Sequence, residues 1–153
     1  MHSHDHIRFK AKIVEGDERE SSRKNDAKSR KILNFGHTFA HSLEKTTNYR
    51  YLKHGEAVGY GIIYDATLSK KLGFLDESVV NLLRGVVHRT GRLPSIRHID
   101  ADAVFESFRF DKKNIGGALQ WVLLKGLGRP AVIPHNEIGD RVIRQTVKEI
   151  ISA

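Results

Sequence analysis

A mainly α-helical domain with one small β-hairpin near residues 120–134 is what the sequence predicts, on three observations. Apolar residues recur at three- and four-residue steps through most of the chain, which is the helical period. One stretch, ALQWVLLKGLGRPAVIP, instead gathers β-branched and aromatic residues around a glycine-containing connection, as a hairpin does. At 153 residues the chain is long enough for one hydrophobic core and too short for a typical two-domain enzyme.

The elements follow in order. MHSHDH sets His2, His4 and His6 at alternate positions before any periodicity begins, so residues 1–6 are read as a vector-derived scar or a disordered start and set aside. Ile7 to Val14 reads as the end of a helix. GDERESSRKNDAKSR, residues 16–30, carries almost no apolar residue and reads as an exposed loop. From Lys31 to about Thr47, Ile32, Leu33, Phe35, Phe39 and Leu43 form one apolar helical face. A turn over Asn48 to Lys53 leads to a second helical run, Gly55 to Leu72, with Val58, Ile62, Ile63, Ala66 and Leu68 apolar and Gly73 at its end. Asp76 is placed as N-cap of a helix from Glu77 to Thr90, whose Val79, Val80, Leu82, Leu83, Val86 and Val87 are expected to face a core. Gly91 and Pro94 punctuate the way to a helix over Ala101 to Phe110. The hairpin strands are expected at Gln120 to Lys125 and Ala131 to Pro134, and a last helix at Ile138 to Ile151.

Composition narrows the chemistry. The absence of cysteine excludes disulfides, thiolate metal sites and thiol nucleophiles, so a metal would have to rest on nitrogen and oxygen, chiefly on the nine histidines. No apolar run reaches membrane-spanning length and the N-terminus lacks a signal-peptide core, which gives a cytoplasmic protein without a membrane partner. The net charge of +8 comes from dispersed basic residues with no stripe, RNP-like signature or finger spacing, which argues against nucleic acid. A positive field serves equally to draw small anions into a cleft.

NFGHTFAHSLE, residues 34–44, and HGEAVGYG, residues 54–61, carry the chemistry. Asn34, His37, His41 and Glu44 are spaced by three, four and three, which puts them on one face of a continuous helix. Two imidazoles one turn apart offer two ligands to one ion, or one ligand and one acid/base group. His54 lies just before the next helical run, and helices joined by so short a connection are usually antiparallel neighbours, which could bring His54 near His37. Gly36, Ala40 and Ser42 are small enough to let a backbone or ligand approach. A catalytic zinc with an open position needs three protein ligands; two are evident here and the third is not. Glu44 and Glu56 are read as supporting or capping groups rather than ligands. Arg30, a turn before Asn34, and the pair Lys112 and Lys113 are candidates for gripping phosphate or carboxylate.

Taken in order, KAKIV with DERE, RKILNFGHTFAHSLE, YLKHGEAVGYG and DKKN resemble the C-terminal domain of the 3-dehydroquinate synthase family, over essentially everything after residue 6. The resemblance implies catalytic NAD and a divalent metal, usually zinc, with cobalt an alternative. It implies a phosphate-eliminating lyase of the shikimate pathway to aromatic amino acids, which cyclises 3-deoxy-D-arabino-heptulosonate 7-phosphate to 3-dehydroquinate. By motif, His37 and His54 would be metal ligands, and His41 a polar or proton-transfer partner beside the substrate. Asn34 and Arg30 would contact the anionic sugar phosphate, as would Lys10 and one of Lys112 and Lys113. Homodimers are common in the family. Two departures are local: Ala40 stands where glycine is commoner, and the segment between Lys10 and Arg30 is longer than usual. The third is larger. No glycine-rich strand-to-helix fingerprint occurs, so the N-terminal NAD-binding domain and a glutamate third ligand are expected to be missing from this chain, which alone would be inactive. Other readings are a domain of another sugar-phosphate cyclase, such as 2-deoxy-scyllo-inosose synthase, or a stand-alone metal- or anion-binding module.

Overall fold

The computed structural model describes residues 3–17, 29–114 and 119–153, with backbone alone for residues 3, 4, 6 and 111–114. In chain order its elements are α1 (Ser3–Gly16), a 3-10 turn (Arg30–Asn34), α2 (His37–Thr46), α3 (His54–Lys71), α4 (Glu77–Thr90) and α5 (Ala101–Asn114). Then follow β1 (Gln120–Leu124), β2 (Pro130–Pro134), a second 3-10 turn (His135–Glu137) and α6 (Asp140–Ser152). The two strands form an antiparallel hairpin in which Gln120 pairs with Pro134 and Leu124 with Pro130. The mainly α architecture with one small hairpin is as the sequence predicts.

Helix α3 is the hub, with α2, α4, α6 and β1 all packed on it. Its sequence explains why: after the first turn it carries no basic residue until Lys70, and Ile63 to Ser69 are buried on every side, the mark of an interior helix. The centre of the core is aromatic. Phe39 of α2 lies flat on Tyr64 of α3 with ring centroids 4.3 Å apart, Trp121 of β1 covers Tyr64 at 5.5 Å, and Phe108 of α5 meets Trp121 edge-on at 5.0 Å. All four side chains are buried, so these contacts add aromatic geometry to apolar area removed from water.

Several boundaries differ from the sequence reading, each for a local reason. The helix expected from Lys31 is interrupted: residues 30–34 form a 3-10 turn, and Gly36, at φ +83°, turns the chain before α2 begins at His37. Helix α1 starts at Ser3, within the six residues set aside in the sequence reading. Most of the loop expected over residues 16–30, including most of the DERE segment, lies outside the described residues. Helix α5 runs on to Asn114, and the last helix starts only at Asp140, because Pro134 opens a separate 3-10 turn and Gly139 stands at φ +87° between the two. Asp76 precedes α4 as expected, but its side chain makes no capping bond. On α4 only Val80 and Val87 are buried, while Leu82 and Val86 are 46% and 48% exposed. That helix packs chiefly on α3, with Val80 also clustered with Leu124 of β1, so one line of residues two turns apart is fully buried.

The irregular segment after α4 is held by two phenols. Tyr60 Oη donates to the Pro94 carbonyl at 2.7 Å and Tyr51 Oη to the Ser95 carbonyl at 2.6 Å. Burial pushes the Tyr60 hydroxyl above its ordinary pKa, with the Tyr51 phenol a lesser cause, so it stays a donor throughout the neutral range. Tyr60→Phe is expected to lower the unfolding free energy by about 1 kcal/mol, the net worth of one hydrogen bond, as a shift in the urea midpoint. An unchanged midpoint would mean that the bond contributes nothing.

Candidate functional site

Three histidines from two helices meet at one corner. His37 is the first residue of α2, His41 stands one turn on, and His54 is the first residue of α3. The link between these helices is tight: Asn48 and Tyr49 adopt left-handed conformations at φ +51° and +57°, and the Tyr49 amide closes the end of α2 on the Glu44 carbonyl at 2.7 Å. The chain thus returns along α2, and His54 arrives beside it. Ring centroids are 5.5 Å apart for His37 and His54, 5.8 Å for His37 and His41, and 6.3 Å for His41 and His54.

Each of two rings has one nitrogen committed. His54 Nδ1 lies 2.9 Å from Oε1 of buried Glu44, and because an ionised carboxylate only accepts, the neutral ring carries its proton on Nδ1 and keeps its lone pair on Nε2. His37 Nδ1 lies 3.2 Å from the Phe35 carbonyl, with the same consequence for its Nε2. Glu56, which follows the third histidine by two residues, accepts the Lys53 amide at 2.8 Å and so caps α3. The sequence reading of Glu44 and Glu56 as supporting and capping groups matches these bonds. The histidine corner also receives the N-termini of both α2 and α3, whose dipoles favour a negatively charged molecule beside the rings.

The remaining candidates are less concentrated. Because the helix is interrupted, Asn34 does not share a helical face with His37, His41 and Glu44 as expected; it ends the 3-10 turn, exposed, and lines a cavity of about 150 Å³ with Lys31, Thr38 and Gln120. Arg30 opens that turn, its amide bound to the buried Asp17 carboxylate at 2.9 Å. Lys10 is exposed on α1, a helix that meets the rest of the domain at the 3-10 turn. Lys112 and Lys113 fall in the last turn of α5, and their side chains lie outside the described residues. Among the described residues no three His, Asp or Glu side chains stand together as a ready metal-binding group. The donor set nonetheless suits a divalent ion in part: two imidazole lone pairs from adjacent helix starts, one backed by a carboxylate, with the remaining positions open.

Sequence reasoning missed Asp65. It is buried on α3, and its Oδ2 accepts the Gly36 amide at 2.7 Å, while Oδ1 has no partner among the described residues. One turn earlier, Gly61 lies so close to the same turn that a Cβ there would stand 1.8 Å from the Gly36 oxygen. The available signal was an acidic residue inside the otherwise uncharged run AVGYGIIYDATLS, four residues after a glycine. Desolvation raises the Asp65 pKa well above its ordinary value, against a smaller lowering by the Gly36 hydrogen bond. With the folded pKa above the unfolded one, its stabilising contribution is full below pH 3.8 and is lost as pH rises toward the folded value. Asp65→Asn is therefore expected to gain stability relative to the unsubstituted protein as pH rises from about 4 to 8, measured as urea midpoints across that range. Parallel curves would contradict the raised pKa.

Comparison with known proteins gives the family. The profile of the family described as "3-dehydroquinate synthase C-terminal" matches residues 4–114. The 3-dehydroquinate synthase of Chlorobium luteolum is 38% identical over 151 residues, covering 95% of this chain and 41% of that protein. That of Methylococcus capsulatus is 42% identical over 128 residues, covering 82% and 33%. A solved 2-deoxy-scyllo-inosose synthase, complexed with carbaglucose-6-phosphate, NAD+ and Co2+, superposes with a TM-score of 0.67 at 25% identity, covering 78% of this chain and 34% of that one. The chain thus spans about two fifths or less of the length of these relatives. With the profile lying across both histidine clusters, the chain belongs to the 3-dehydroquinate synthase C-terminal family.

Proposed function

We propose that this chain is the metal- and substrate-binding part of a 3-dehydroquinate synthase, the lyase that forms 3-dehydroquinate and phosphate from 3-deoxy-D-arabino-heptulosonate 7-phosphate. The convergence of His37, His41 and His54, with Glu44 fixing the His54 tautomer, carries the reading. His37 and His54 would hold a divalent ion, zinc by family habit or cobalt as in the solved relative, with a third ligand from outside the chain. Such an ion would polarise and acidify the hydroxyl undergoing oxidation. NAD, which the solved relative binds, would belong to a nucleotide-binding part outside these residues.

The chain's own residues do the rest. His41 is exposed beside both other rings, where it would take and return a proton at the substrate. The N-termini of α2 and α3, with Asn34, Arg30, Lys10 and Lys112 or Lys113, would compensate phosphate and carboxylate. The proposed setting is a cytoplasmic homodimer; no helix among the described residues is long and apolar enough to cross a membrane.

Phosphate release from the heptulosonate phosphate, with NAD and zinc or cobalt supplied, is the direct test. The chain alone is expected to show no sustained turnover, because its sequence carries no glycine-rich fingerprint for the hydride carrier; sustained turnover would overturn the division of labour. The fold likeness to 2-deoxy-scyllo-inosose synthase supports one second reading, a cyclase acting on a different sugar phosphate. Assaying the longer parent against both substrates separates them.

A further inference from the structure

We propose that Asp65 is a positioning residue for His37: by holding the Gly36 amide it fixes the turn in which His37 Nδ1–H donates to the Phe35 carbonyl, leaving Nε2 unprotonated. Its functional consequence rests on the reading of His37 as a metal ligand; the structural claim does not.

The argument begins with an unusual expense. Asp65 lies wholly inside the protein on the central helix, and one of its oxygens has no partner among the described residues. A carboxyl in that state weakens a core unless its other contact secures something. Its other contact is short, 2.7 Å, and reaches the backbone of one residue, Gly36. Gly36 sits at φ +83°, immediately before His37, and its carbonyl accepts the Ala40 amide at 3.2 Å as the first bond of α2. The same peptide carbonyl is pressed against Gly61, four residues before Asp65. One turn beyond Asp65, Ser69 accepts the Leu124 amide of β1 at 3.1 Å. Gly61, Asp65 and Ser69 therefore form a line along α3 whose contacts are to non-helical backbone, and Asp65 is the member that grips the turn.

The turn in turn decides the chemistry of the ring. A carbonyl only accepts, so the 3.2 Å approach of the Phe35 oxygen to Nδ1 selects the Nδ1–H tautomer of neutral His37. Releasing the Gly36 amide frees the peptide between Phe35 and His37, and with it the acceptor that selects the tautomer. Nε2 then spends part of its time protonated and unable to bind a cation.

Ring-nitrogen NMR of the labelled protein, at a pH where histidine is neutral and without metal, reads this directly. The unsubstituted protein and Asp65→Asn, which keeps an oxygen acceptor for Gly36, are expected to hold His37 as Nδ1–H. Asp65→Ala is expected to show a mixture of tautomers and a cobalt affinity lower by roughly 10- to 100-fold, the scale for groups that orient a ligand. A purely structural role would lower the melting temperature of Asp65→Ala without moving the tautomer, and that result overturns the proposal. So does His37 in the Nε2–H form in the unsubstituted protein. Should Asp65→Ala not fold, amide exchange decides on the unsubstituted protein and Asp65→Asn: a protected Gly36 amide in both supports the proposal, and a freely exchanging one overturns it. An unsubstituted protein that binds no cobalt overturns the metal reading of His37 and leaves the tautomer result to stand or fall separately.

Discussion

Gly61→Ala is expected to destabilise the protein by at least about 2 kcal/mol, in the direction opposite to the usual rule for a glycine inside a helix. At an ordinary interior helical site this substitution gains up to about 1 kcal/mol, because alanine is the better helix former. Gly61 lies in the middle of α3 with ordinary helical neighbours, so propensity alone predicts a gain. The added methyl decides the sign. It would stand 1.8 Å from the Gly36 oxygen and 2.6 Å from the Gly36 carbonyl carbon, and these are backbone atoms that cannot rotate away. Gly36 is itself pinned: a Cβ on it would meet the Ile62 amide at 2.9 Å, and its own amide is bound to Asp65. Relief therefore requires the whole turn to lift off α3, which loses the Asp65 bond and moves the start of α2. Overpacking of this kind costs about 1–3 kcal/mol and more where backbone must shift. For a chain of this length the melting temperature should fall by roughly 4–8 °C. Thermal unfolding of Gly61→Ala beside Gly85→Ala, where nothing but the Arg89 side chain lies within 4 Å, is the comparison: a fall at 61 with none at 85 is expected. Equal or higher stability of Gly61→Ala would mean that the turn is not locked against α3.

The Gly36 turn also marks the limit of reading the fold from sequence. Apolar periodicity locates α2, α3, α4 and α5, and the β-branched run locates the hairpin, because burial of one face is written into the spacing. What periodicity cannot register is a short 3-10 turn that keeps apolar residues in step. Ile32 and Phe39 both reach the interior across the interruption at Gly36, so the pattern looks like one continuous helix. Leu82 and Val86 show the converse error. They satisfy a helical face, but α4 packs chiefly on α3, and how much of a helix its neighbours cover is a tertiary fact.

For the site, the histidines were legible because metal chemistry restricts the residue types and the two clusters lie close in sequence. His37 and His54 do meet, although not as members of one helical face with Asn34. Glu44 was recognisable as a supporting group only by its place one turn from His41; that it holds His54 follows from the return of the chain through Asn48 and Tyr49. Asp65 stands out in sequence only as the acidic residue of an uncharged run; its role is hidden because its partner is a backbone amide 29 residues away, and main-chain partners leave no trace in composition.

The ligand assignment makes a ranked prediction about metal affinity, the largest functional effect expected here. If His37 and His54 hold the ion as proposed, His37→Ala and His54→Ala should each lower cobalt affinity by more than about 100-fold, beyond the range seen for supporting residues. Glu44→Gln should cost about 10-fold: the amide oxygen still accepts from Nδ1, so the tautomer survives, but the negative charge that makes the ring more basic is gone. Glu44→Ala should cost more, toward the 100-fold end, since the ring then loses its orientation too. Under the proposed division of roles, with His41 serving the proton and not the ion, His41→Ala should leave affinity close to that of the unsubstituted protein while removing turnover in an enzyme that includes the NAD-binding part. The order matters more than any single value. His41 stands 5.8 Å from His37 and 6.3 Å from His54 by ring centroid, so its substitution is the one that tests the assignment. Calorimetric titration with cobalt, with melting temperatures taken in parallel because His54→Ala leaves buried Glu44 without its partner, gives the ranking. If His41→Ala weakens binding as much as His37→Ala does, the ion is held by all three histidines, and the division between ligand and proton carrier is wrong.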